Sequence, residues 1–367
     1  KSEVLVSFME QWGAKGLTGE PWNSLNFQVS EDVLKLNDLY AGLQPYYGEL
    51  HDHADTGGTS DGKYTLDVWK TELNRLNMDF ATIVDHRQSL HMYLPEWDDT
   101  IFVGGTEAAG SIKDRDDRYN YFHYNMIFPH KYGLAMVLAN FPEFKFQGDE
   151  LTGKFGYPKF TKERFMELNT YIRSIGGMVV HAHPKILLAS NDPLDYYFGS
   201  DKAPMGFEIH TGNSKPYNMV YKDNEEAYQT WVDLLEAGKW VYATAGSDKH
   251  DLPNPGALTT LYSDRKHADA YLALMRSGDF APGWVGIRMT MTGVTMGGKV
   301  DFTNKKLIFS VGDIYQGDKN EPNPIYVADH TYRVELYDDG GLVSQSIIDP
   351  TVTTYFEANA NSNAKFY

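Results

Sequence analysis

The sequence predicts an α/β chain: a (βα) barrel followed by a small antiparallel β-sandwich. Three observations carry that reading. Between about residues 44 and 285, strand-like apolar runs alternate with amphipathic helical segments, the pattern of successive βα units. Nearly every run ends on a histidine or a carboxylate, and in a closed βα barrel functional residues gather at the C-terminal strand ends. After about residue 287 helical periodicity stops, and short strand signals separated by turns take over.

Residues 1–43 form an N-terminal extension, with a short helix over 30–36 that takes Ser30 as its N-cap. The first barrel run ends Gly48-Glu49-Leu50-His51-Asp52-His53. Strand side chains alternate faces, so His51 and His53 point the same way and can chelate one ion. The next runs lead into Asp85-His86 and into Glu107, and the run 121–128 contains His123. Later ones lead into His181-Ala182-His183, into His210, and into Asp248-Lys249-His250, making about seven strands. Between them, Leu66, Trp69, Leu73 and Leu76 recur at helical spacing, as do Phe165, Leu168, Ile172 and Ile175 ahead of Gly176-Gly177. Trp231, Leu234 and Leu235 precede Gly238, and Tyr271, Leu272 and Met275 precede Gly278. The stretches 191–204 and 251–256 read as loops, the first lining the pocket mouth, and the charged run 114–118 as a solvated loop. The barrel is assigned 44–287 and the β-sandwich 288–367, with strand signals at 300–302, 306–311, 332–337 and 351–356.

Composition narrows the chemistry. The formal charge of −17 opposes a nucleic-acid backbone or an anionic membrane as partner, and no apolar run reaches the roughly 18–20 residues that span a bilayer. With no cysteine, any metal is held by His, Asp and Glu. A removed signal peptide or a cut tag would each leave a chain starting at Lys1, and the 14% aromatic content fits an exported bacterial protein.

Taken in order, His51-x-His53, Asp85-His86, Glu107, His123, His183-Pro184 and Asp248-x-His250 resemble the polymerase and histidinol phosphatase (PHP) domain over roughly residues 44–285. Gly105-Thr106-Glu107, Gly246-Ser247-Asp248-Lys249-His250 and the run 256–262 resemble its carbaryl-hydrolase-like branch more closely. The resemblance implies a distorted seven-stranded barrel of PHP type holding two or three divalent ions. It assigns His51, His53, Glu107 and Asp248 to one metal, with Glu107 bridging to a second held by His123 and His183. It assigns His86 and His250 to a third, with Asp55 or Asp61 completing it; Asp61, within Ser60-Asp61-Gly62, fits best.

Imidazole and carboxylate ligands suit Zn, Mn or Fe without choosing among them. Three carboxylates against three dications leave an excess of about +3, which favours a small anionic substrate, phosphate being the obvious anionic group, and a paired-metal centre supplies a nucleophile from water at neutral pH. His181 and His210 are candidates for the general acid, and Arg87 and Lys249 for gripping a phosphate oxygen. Asp85 is expected to orient a ligating imidazole. The function expected is a metal-dependent phosphoesterase. The alternatives are an ester, amide or carbamate hydrolase on the same centre, or a non-enzymatic binding protein.

Overall fold

The computed structural model describes residues 31–113, 119–145, 147, 154–184, 197–211, 222–253, 255–300, 305–317, 332–349 and 352–360. Its first ten strands are β1 (Gln44–Asp52), β2 (Phe80–Ile83), β3 (Phe102–Lys113), β4 (Tyr119–Phe128), β5 (Lys159–Phe160), β6 (Met178–Ala182), β7 (Met205–Thr211), β8 (Val241–Gly246), β9 (Thr259–Ser263) and β10 (Phe280–Pro282). They form one mixed sheet in which β1-β2-β3-β4-β6-β7-β8 make the barrel wall, while β9 and β10 extend it antiparallel from β1. Beyond β8 the chain returns to β1, where Asp248 N–H donates to His51 O at 2.9 Å and His53 N–H to Lys249 O at 2.8 Å. The wall is thus nearly closed at the end where the histidines gather.

One wall strand runs against the expected parallel order. β3 and β4 pair antiparallel, and β4 is antiparallel to β6 as well. Reversal brings the first half of β4, not its last residue, to the end where the other strands finish: His123 pairs with Ala182, the last residue of β6.

The helices pack outside as their periodicity requires. These are α1 (Glu31–Leu39), α2 (Leu66–Leu76), α3 (Gly133–Asn140), α4 (Lys162–Ser174), α5 (Lys222–Glu236) and α6 (Ala268–Ser277). Leu66, Trp69, Leu73 and Leu76 of α2 are buried against Ala81, Ile83 and Phe102. Phe165, Leu168 and Ile172 of α4 meet Phe122, Tyr124 and Val179, each such side chain contributing about 1.5–3 kcal/mol of burial. The α4 helix begins where Thr161 Oγ1 accepts from Arg164 N–H at 3.2 Å. Among the described residues no helix is long and apolar enough to cross a membrane.

After the barrel come β11 (Gly286–Met291), β12 (Val294–Thr295), β13 (Lys306–Gly312), β14 (Tyr332–Asp338), β15 (Gly341–Ile348) and β16 (Thr354–Asn359). They make an antiparallel sheet, β12-β11-β13-β16, and a β14-β15 hairpin, which share Leu307, Phe309, Val311, Leu336 and Ile348 as a core. These sheets meet the barrel toward the start of β1: Tyr47 Oη donates to Asp313 O, and Tyr262 Oη to Asp313 Oδ2 at 2.8 Å. Ser30, the run 114–118, residues 191–196 and residues 301–302, each given a role by the sequence reading, lie outside the described residues. The rest of the expected mouth loop is partly core, since Tyr197 and Phe198 are buried with Phe122 and Phe165.

Candidate metal centre

Strand ends supply the site. In β1 the pairing with β2 slips by one residue between Glu49 and Asp52, a bulge of the kind that re-aims side chains beside active sites. His51 and His53 emerge with their Nε2 atoms 3.3 Å apart, both on the same point. Glu107 on β3 lies opposite Asn125 on β4, so His123 is its diagonal neighbour on the same face. At the end of β8, a Cβ on Gly246 would stand 2.5 Å from His51 Cβ and 2.8 Å from Glu208 Oε1, so only glycine admits both. Of the non-glycine residues that hold positive φ, three lie at this end of the barrel: Arg87 at 57°, His183 at 26° and Asp248 at 51°. Backbone strain of this kind concentrates at functional sites.

Among the described residues three groups of ligating atoms result, the atoms of each lying within 4.8 Å of one another: His51, His53, Glu107 and Asp248; Glu107, His123 and His183; and His53, Asp61, His86 and His250. Glu107 divides its carboxylate between the first two. Its Oε1 lies 2.5 Å from His123 Nδ1 and 3.0 Å from His183 Nε2. Its Oε2 lies 3.6 Å from His51 Nε2, 3.4 Å from His53 Nε2 and 2.8 Å from His86 Nδ1. Asp248 Oδ1 is 3.4 and 3.2 Å from the same two Nε2 atoms. Asp61 reaches His250 Nε2 at 3.1 Å and His86 Nε2 at 3.5 Å. Asp55, its rival, belongs to none of the three groups.

These residues fit divalent ions. Glu107 Oε2 and Asp248 Oδ1 are buried without a hydrogen bond, facing imidazole nitrogens that face one another. A dication satisfies such a set of convergent N and O donors. Burial alone would lower the His51 imidazole, but Glu208, Asp248 and Glu107 outweigh it and hold its pKa well above the ordinary value. His53 is likewise depressed by burial yet pushed up to about 9 by Asp248 and Glu107. Burial raises the Glu107 and Asp248 carboxyls, and the imidazoles around them, His51 foremost, bring both below the usual range. Protons and metal ions therefore compete for these atoms.

Glu208 was missed by the sequence reading. It sits one position before the β7 bulge, with Oε1 3.2 Å from His51 Nδ1 and Oε2 accepting from His183 N–H at 2.5 Å. One carboxylate thus fixes the ring of one candidate ligand and the backbone of another. The available signal was a carboxylate at a strand end, masked by the more conspicuous His210 two residues on.

Other expectations fare differently. His181 does not share a face with His183, because β6 ends at Ala182 and His183 turns away through its positive φ. Its buried ring lies against Phe122 and Phe207, at centroid distances of 5.4 and 5.2 Å, and neither nitrogen has a hydrogen bond. Burial, with the His183 and His123 charges, lowers its pKa to about 3, so it is a neutral core residue rather than an acid. His210 is half-buried beyond the bulge and belongs to none of the ligating groups. Lys249 serves through its backbone carbonyl, while its ammonium acts on Asp251. Asp85 orients no ligating imidazole: it accepts from Ala54 N–H at 3.0 Å and from Thr56, and lies 3.0 Å from His91 Nδ1, bracing the loop after β1.

No protein-family model and no curated protein matches the chain. Solved structures give distant likenesses. An endonuclease Q in complex with a 27-mer duplex substrate with an abasic lesion aligns at 14% identity over 63% of this chain and 56% of that one, with TM-score 0.39. A lesion-specific endonuclease Q from Pyrococcus furiosus aligns at 13% identity over 65% and 58%, with TM-score 0.42. A two-domain protein from Bacteroides vulgatus containing a predicted PHP-like metal-dependent phosphoesterase aligns at 14% identity over 86% of both chains, with TM-score 0.38. The matches thus cover under two thirds of either endonuclease's length. The nearly closed barrel with its small C-terminal antiparallel sheets is the mixed α/β architecture expected from the sequence.

Proposed function

We propose that this chain is a metal-dependent phosphoesterase that hydrolyses a small phosphorylated substrate at a centre of two to three divalent ions. The observation that supports the reading best is Glu107, whose two oxygens face different sets of imidazoles. When bound, ions at such a centre supply Lewis acidity, lowering the pKa of water and drawing charge from phosphoryl oxygens. The protein's own part is positional. Glu208 holds His51 and the His183 backbone, Gly246 lets them approach, and the burial of His51, His53 and Glu107 keeps bulk water from the carboxylates. Arg87 is the cation assigned to a phosphate oxygen, and His210, outside the ligating groups, is the remaining candidate for the general acid.

Elemental analysis and turnover test the proposal. Protein loaded with Zn, Mn or Fe should hydrolyse phosphomonoesters, lose the activity to a chelator and regain it with metal. Turnover confined to carboxyl or carbamate esters would move the assignment to that hydrolase class. Absence of stoichiometric metal, with His51→Ala changing nothing, would leave a binding protein.

A further inference from the structure

At the end of the barrel away from the metal centre, two arginines face each other. Arg173 stands in the last turn of α4, just ahead of β6, and Arg276 in the last turn of α6, just ahead of β10. Each reaches across to the other helix: Arg173 Nη2 donates to Arg276 O at 2.7 Å, and Arg276 Nη2 to Arg173 O at 3.0 Å. Both side chains are half-buried. The exchange accounts for one edge of each guanidinium and no more, because Arg173 Nη1 and Arg276 Nε are buried without a hydrogen bond. Among the described residues no carboxylate pairs with either side chain. Of the carboxylates close by, Asp201 is held by Lys299 at 3.0 Å and Asp279 accepts from Tyr40 Oη at 2.9 Å.

A third polar group lies beside the pair. Tyr242, at the start of β8, packs with Met275, and its ring closes on Gly278, where an added Cβ would stand 2.4 Å from Cε1. Its Oη is buried and also lacks a hydrogen bond. Burial raises the pKa of this hydroxyl, and the neighbouring Arg173 charge works against that rise. Burial and the same Arg173 charge bring the Arg276 guanidinium below its ordinary value. The charges do not balance. Two guanidiniums carry +2, the two helix C-termini offset about −0.5 each, and about +1 remains. Guanidiniums only donate, and charge withdrawn from water calls for a partner of opposite sign.

We propose that Arg173, Arg276 and Tyr242 form an anion site at the base of the barrel for a small oxyanion of phosphate type. Several N–H and O–H donors around one excess positive charge suit a ligand with several acceptor oxygens, and guanidinium forks match phosphate better than a halide. None of the candidate metal ligands belongs to this site, so the anion there is a brace rather than a substrate. It would tie the ends of α4 and α6 to β8. The inference stands apart from the phosphoesterase reading.

Calorimetric titration of the metal-loaded chain with inorganic phosphate tests this. If the metal centre takes one phosphate, the wild type should bind two per chain. Arg276→Gln and Arg173→Gln should each bind one, with metal content unchanged, and Glu107→Gln should lose the other. Glutamine keeps an N–H for the facing carbonyl, so the crossed helix ends persist. If the metal centre takes none, the wild type should bind one phosphate and the arginine variants none, which upholds the site while the phosphoesterase reading fails. Arginine variants that bind as many phosphates as the wild type, or a wild type that binds none, overturn the site. Tyr242→Phe leaves both arginines in place and gives a second readout: affinity for this phosphate should fall several-fold, and unchanged affinity overturns the assignment. Chloride should compete at least about 10-fold more weakly than phosphate; equal affinity overturns the oxyanion preference.

Discussion

Two pairs of histidines share one spacing and have opposite fates. His51 and His53 both enter the ligand cluster, whereas of His181 and His183 only the second does. In β1 the bulge and the hydrogen bonds to Asp248 and Lys249 carry extended chain through His53. In β6 the strand ends one residue earlier, and positive φ at His183 breaks the alternation. A histidine two residues from a ligand is therefore a ligand only while the strand continues, and otherwise packs on the opposite side of the wall.

Substitutions can break or sharpen that contrast. The largest effect is expected at Glu107→Gln, which removes the charge facing both metal groups. Bound metal should fall to at most one ion per chain by elemental analysis, and kcat by about 10³-fold or more, the scale of removing key electrostatic stabilisation. Unchanged stoichiometry would refute the bridging role. Glu208→Gln should be next, weakening metal affinity about 10–100-fold by competition titration, because the His51 ring loses its orienting carboxylate. Wild-type affinity in that variant would make Glu208 a bystander. Asp61→Asn should act more narrowly, since its side chain is 53% exposed and touches only the third group. One ion should be lost and the other two kept, with kcat reduced by about 10-fold; loss of every ion would contradict separate groups.

The smallest effect falls on the misplaced member of the second pair. His181→Phe should leave metal content and activity intact and change only the acid side of stability. The folded-state pKa of about 3 lies below the ordinary 6.5, so between these values the unfolded chain binds the extra proton and stability falls as pH falls. At pH 5 this amounts to about 2 kcal/mol, which the variant should not lose between pH 7 and pH 5 in denaturant titrations. An identical slope in both proteins would mean that His181 is not held neutral.

The helices were legible because their apolar residues recur with the helical period, as in α2 and α4. The ordered histidines and carboxylates were legible because chelation restricts residue type. Strand direction was not: nothing in the residues around His123 states that β4 runs backward, and the clue was the lack of an amphipathic segment between Glu107 and Tyr121. Supporting carboxylates were equally obscure. Asp85 stands beside a ligand and braces a loop, while Glu208 stands beside a non-ligand and holds His51. The difference lies in bulges and loop paths, which residue spacing does not encode.

The incomplete closure between β8 and β1 gives the ions one more task. A chain without cysteine has no disulfide, yet the first group joins His51 to Asp248 across nearly two hundred residues of chain. By the chain-entropy arithmetic of cross-links, tying a loop longer than 100 residues removes more than about 4.7 kcal/mol of freedom from the unfolded ensemble. Bound metal would then be a reversible rivet for the barrel seam, slowing exchange of the His53 amide.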